Sequence, residues 1–118
     1  MPPGKRELAR IERRLIATLT DACETAKGEI KGFTWLTHIT DLNALAETLK
    51  VIWVFETLAD KKLAQVNAKT RIFELTTIAL NEANIDLSPS DFNVRFDSEE
   101  ECQRTHGGNW QKRLAKGY

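Results

Sequence analysis

Only two cysteines, Cys23 and Cys102, occur in the 118 residues, too few to staple a disulfide scaffold. The longest unbroken apolar stretch is Val51-Ile52-Trp53-Val54-Phe55, far short of the roughly 20 residues a bilayer span needs. The N-terminus lacks an apolar signal core and carries charge from Lys5 onward. The expected compartment is therefore the cytoplasm, with both thiols reduced and no membrane partner. Net charge is absent too, with 17 basic against 17 acidic residues, which argues against coating nucleic acid by bulk charge. No phosphate loop, dinucleotide fingerprint, nucleophile elbow or paired-metal signature occurs.

What is present suits one globular unit. Apolar residues make up 42% and charged residues 29%, and three tryptophans and five phenylalanines supply large burial per residue. At this length one domain over residues 1–118 is expected, with residues 1–4 as a disordered lead-in.

The charges are segregated. Residues 1–16 hold five basic side chains against two acidic, a local +3; residues 102–118 hold four basic and no acidic, a local +4. Between them, residues 87–101 hold one basic and five acidic, a local −4. Two basic ends thus permit a local cationic patch, although charged runs on helix faces commonly serve solubility alone.

Hydrophobic periodicity predicts a long first helix from Lys5, with Leu8, Ile11, Leu15, Leu19 and Ala26 on one face, stopped by Gly28 and Gly32. Phe33 to Thr40 reads as a strand with Phe33, Trp35 and Ile39 on one face and Thr34, Leu36, His38 and Thr40 on the other. Leu49 to Phe55 reads as a second strand, apolar on both faces and hence central, joined to the first as an antiparallel hairpin. Leu58, Leu63 and Val66, then Ile72 to Ala83, give two helices or one kinked helix, because the stripe changes phase at Asn67-Ala68-Lys69. Asn84 fits a C-terminal cap. Strict alternation over Phe92 to Phe96 predicts a third strand with one face in water. Ser98 with Glu101 three residues on is a capping-box pattern for a further helix, ended by Gly107-Gly108, after which Trp110 and Leu114 bring a final turn back onto the body. The expected fold is α+β, in the order α-β-β-α-α-β-α, with a three-stranded mixed or antiparallel sheet covered by helices.

Candidate chemistry is sparse. Cys23, His38, Cys102 and His106 are the only soft ligand set, but their spacing is not that of a zinc site, so no metal or cofactor is expected. His38 would act as a general base only beside an acid or a thiol in a concave pocket, and no catalytic residue is assigned. Glu99, Glu100 and Glu101 suit a helix start. Trp35 and Trp53 read as core before they read as stacking platforms.

The stretches Gly32-Phe33-Thr34-Trp35-Leu36-Thr37-His38, Val51-Ile52-Trp53-Val54-Phe55 and Phe96-Asp97-Ser98-Glu99-Glu100, with Cys102 and His106-Gly107-Gly108, carry a resemblance. From about Ala22 to Leu114 the chain resembles a family of short, uncharacterised proteobacterial proteins, some of them labelled Fis-type transcriptional regulators. A Fis-like chain ends in a helix-turn-helix, whereas an alternating strand opens the C-terminal part here. The resemblance imports no settled activity and slightly favours nucleic-acid binding. The element order is similar, in architecture only, to type II KH domains such as ribosome-binding factor A. Their GXXG clamp has no counterpart at Val66-Asn67-Ala68-Lys69, which contains no glycine.

These readings rank three expectations. The first is a non-enzymatic binding module touching nucleic acid or a ribonucleoprotein through Arg6, Arg10, Arg13, Arg14, Lys112 and Arg113. The second is a homodimeric protein-interaction domain using the open sheet face or the long first helix, and the third is an enzyme using His38.

Overall fold

The computed structural model describes residues 4–118; of the expected lead-in, all but Gly4 lies outside the described residues. Helix α1 (Lys5–Glu29) is followed by strand β1 (Phe33–Ile39), a 3-10 turn (Leu42–Ala44) and a single helical turn, α2 (Leu45–Thr48). Strand β2 (Lys50–Phe55), helices α3 (Leu58–Asn67) and α4 (Lys69–Glu82), strand β3 (Val94–Ser98) and helices α5 (Glu99–His106) and α6 (Trp110–Lys116) complete the chain. The fold is α+β as expected. None of these helices is long and apolar enough to cross a membrane.

The sheet runs in the order β1-β2-β3, with β1 antiparallel and β3 parallel to the central β2. A parallel neighbour needs a long crossover, and α3 with α4 supply it. Val51 to Phe55 are all fully buried, as the central position of β2 demands. On one face Val51, Trp53 and Phe55 join Leu15, Leu19 and Ala26 of α1 and Ile72 and Leu80 of α4 in the main core. Ala64 is the buried residue of α3, whereas Leu63 and Val66 point outward, at 50% and 81% exposure. The apolar periodicity placed this helix but not its buried face, because its buried side is small.

β1 departs from the expected face pattern. Phe33 is opposite Phe55 but Trp35 is opposite Val54, so Thr34 is an extra residue, a bulge. The Thr34 hydroxyl donates to the Val54 carbonyl at 3.0 Å and fixes the irregularity. Phe33 therefore turns into the core, 5.0 Å from the Trp53 ring, while Trp35 emerges on the opposite face, 5.0 Å from the Trp110 ring.

β3 also corrects a reading. It starts at Val94, leaving Phe92 outside and 48% exposed, and of the polar residues in and beside it Asn93 and Asp97 are buried while Arg95 is partly exposed. Asn93 is buried, donating to the Leu49 carbonyl at 2.8 Å and accepting from the Ser90 amide at 2.9 Å. Asp97 is 1% exposed, because α6 and the chain end cover that face of the sheet. The expected open sheet face is thus occupied.

Helix ends follow local chemistry. α1 runs through Gly28 to Glu29, and the turn that stops it comes at Gly32, at φ +79°, where a side chain would overlap the Asp60 carboxyl group. α3 and α4 meet at Ala68, where the stripe changed phase. Ser98 caps α5 by accepting from the Glu101 amide at 3.1 Å, and Gly107 closes it in the left-handed region.

Candidate nucleic-acid interface

α1 is long, about 37 Å at 1.5 Å per residue, and its side chains join the core only from Ile11 onward. Steps of about 100° per residue put Arg6, Arg10 and Arg13 on the side opposite Leu15, Leu19, Ala22 and Ala26. All three arginines are exposed. Arg10 meets Glu7 at 3.8 Å, an exposed pair that leaves its charge largely available. Arg6 and Arg13 have no carboxylate within 4.0 Å among the described residues. Arg14 turns toward α4 instead and donates from Nε to the Glu82 carbonyl at 2.7 Å.

The other basic end lies across the sheet. α6 covers the face that carries Trp35 and Asp97, whereas α1 packs on the face that carries Trp53. Arg113 is committed internally: it grips Asp97 with Nε at 2.6 Å and Nη2 at 2.8 Å, and its Nη1 reaches the Thr105 hydroxyl at 2.5 Å. Arg104 pairs with Glu100 at 2.7 Å. Lys112 and Lys116 remain exposed and unpaired among the described residues. Of the six residues singled out in the sequence, the structure brings Arg6, Arg10 and Arg13 onto one surface, sets Arg14 beside it, and separates Lys112 and Arg113 from it.

The Asp97 cluster is the most polar buried feature. Burial alone would raise the carboxyl pKa, but the Arg113 guanidinium, the Tyr118 hydroxyl and the Ser98 amide together hold it below the ordinary value. The same pairing raises Arg113, and burial followed by the Asp97 contact pushes the Tyr118 hydroxyl up. Glu101 behaves similarly: Lys61 at 2.7 Å and the Ser98 hydroxyl outweigh burial and lower it. Glu99 accepts the indole N–H of Trp35 at 2.6 Å through one oxygen and that of Trp110 at 3.0 Å through the other. Its placement at a helix start was legible, but its role as a clamp between two tryptophans left no trace in the sequence, since Trp35 and Trp110 come from distant segments.

His38 lies with its Nε2 3.5 Å from Glu12, in a hollow of about 290 Å³ shared with Cys23, Ile16 and Leu36. The carboxylate stands close enough to orient the ring. Among the described residues, Glu12 is the polar partner of the His38 ring, while the His106 Nδ1 meets the Thr105 hydroxyl at 2.9 Å and Arg113 Nη1 at 3.3 Å. Cys102 is the buried residue of α5, and burial raises its thiol pKa. No three His, Cys, Asp or Glu side chains converge as a metal site among the described residues. A wider hollow, about 770 Å³, lies along the outside of α4 between Phe73, Thr77 and Ile78 and the Ser90–Asp91 segment.

Comparison with protein-family models, with curated proteins and with solved structures returns no match to this chain.

Proposed function

We propose that the chain is a non-enzymatic binding module that engages nucleic acid, alone or in a ribonucleoprotein, through the outward arginines of α1. The observation that carries the reading is the exposed row Arg6, Arg10 and Arg13, aligned on one helix face and pointing away from the body. Guanidinium groups pair with phosphates through a planar donor fork, and a row of them matches a repeating polyanion better than a single anion. Affinity of this kind comes from the phosphate backbone and is lost with salt. Lys112 and Arg113 fall outside this reading, since Arg113 holds Asp97 and both sit on α6.

Retention of single-stranded RNA, duplex RNA and duplex DNA, measured by fluorescence anisotropy between 50 and 300 mM salt (about the range in which phosphate contacts dominate), tests the reading. The wild type should bind at low salt. The triple variant Arg6→Gln, Arg10→Gln, Arg13→Gln should lower the slope of log K against log salt by about 2 units on single strands, and Lys112→Gln should leave it unchanged. No binding by the wild type at the lowest salt removes the proposal.

A further inference from the structure

We propose that β1 is a pairing edge, and that two copies of this chain join along it, antiparallel around a two-fold axis at Thr37, into one six-stranded sheet. The inference does not rest on nucleic-acid binding.

Both β1 and β3 are edges of the sheet, but only one is guarded. Beside β3, α3 packs closely, and Lys61, Lys116 and Tyr118 crowd Phe96 and Asp97. β1, Phe-Thr-Trp-Leu-Thr-His-Ile, contains no Lys, Arg, Asp, Glu, Pro or Gly. Those are the residues by which soluble proteins ordinarily deter edge pairing.

The backbone of that edge is self-complementary. The Val51 amide donates to the Asn93 carbonyl, so Val51, Trp53 and Phe55 direct their backbone groups at β3. Alternation leaves Ile52 and Val54 to bond with β1, and their partners are Thr37 and Trp35. Leu36 and His38 are then the residues whose N–H and C=O point to the open side. They flank Thr37 symmetrically. A two-fold axis there sets Leu36 of each copy against His38 of the other, and each such pair can exchange two hydrogen bonds.

The side chains agree with that register. On the face covered by α6, Thr37 meets its own copy and Trp35 meets Ile39, a favourable aromatic and β-branched cross-strand pair. On the other face α1 is laid antiparallel to its copy. Ile16, 48% exposed on the flank of α1 nearest β1, borders the hollow formed with Leu36 and Cys23, so each copy offers an apolar side chain and a space beside it. α1 is also electrically polarised. Residues 5–16 carry +3 and residues 17–29 carry −2, and only an antiparallel arrangement sets unlike halves side by side.

Sedimentation equilibrium of the full chain from about 1 to 200 μM, a range that brackets micromolar association, should give twice the monomer mass at the upper end. Thr37→Lys puts like charges opposite each other on the axis and should weaken association at least about tenfold, as should Thr37→Glu. An equimolar mixture of the two variants should restore the dimer, which also shows that both are folded. A wild type that stays monomeric overturns the proposal. So does a dimer that neither charge variant weakens, which would move the contact to another surface, such as the Phe73 and Ile78 face of α4.

Discussion

Asp97 and Arg113 are 16 positions apart, yet their side chains are only 2% and 11% exposed and meet through two hydrogen bonds. A buried carboxylate persists only if its lone pairs are occupied, and here Arg113, Tyr118 and the Ser98 amide occupy them. Removing the cation alone leaves a desolvated charge without a partner. Arg113→Met should therefore lower unfolding stability by about 3 kcal/mol, whereas adding Asp97→Asn to it should recover part of the loss. Urea melts of the two single variants and the double variant read the coupling directly. Additive losses would show that the pair is not coupled. Neither partner announced itself in the sequence: Asp97 sat among acids that suited a helix start, and Arg113 belonged to a basic tail that suited solvent.

At the scale of elements, the order of helices and strands was legible because each segment repeats its apolar residues at one period. α1 shows spacings of three and four over 25 residues, and the fully apolar β2 sits in the middle of the sheet. Faces were less legible, because a single inserted residue reverses them. The bulge at Thr34 sets Phe33 and Trp35, which simple alternation would put on one face, on opposite faces, and the sequence marks it with neither glycine nor proline. α3 failed for the opposite reason, since its buried position is Ala64, too small to dominate an apolar stripe. Caps were the most reliable local signal. Ser98 accepts from the Glu101 amide, and its hydroxyl donates to the Glu101 carboxylate at 2.8 Å. Ser98→Ala should cost about 1 kcal/mol, seen as a lower urea midpoint, while Ser98→Asp should keep the amide contact but set a second carboxylate beside Glu101. If Ser98→Ala leaves the midpoint unchanged, the cap contributes nothing net.

At the scale of the whole molecule, the sheet is a partition. One side is an apolar core under α1 and α4; the other is a smaller layer in which Trp35, Trp110, Glu99, Asp97, Arg113 and Tyr118 join by polar contacts. That partition explains why the two basic ends are not equivalent in the fold: one projects three arginines along a free helix face, and the other commits Arg113 to buried Asp97. It also dictates how stability should respond to pH. Asp97 and Glu101 have pKa values lowered from their ordinary 3.8 and 4.5, so the folded state binds their protons less readily than the unfolded chain. Their contribution is fully present above those ordinary values and is lost as pH falls through the lower, folded values. Tyr118 and Cys102 are raised, so their contribution is present below their ordinary 10.0 and 9.0 and falls as pH rises further. The urea midpoint should be nearly flat between the two limbs, from about pH 5 to about pH 9, and should drop on either side. Asp97→Asn removes one titrating group from the acid limb, so that limb should become shallower in the variant even though its midpoint at neutral pH is lower. An acid limb of unchanged steepness in Asp97→Asn would mean that the polar layer does not govern acid unfolding, and that the carboxylates outside it do.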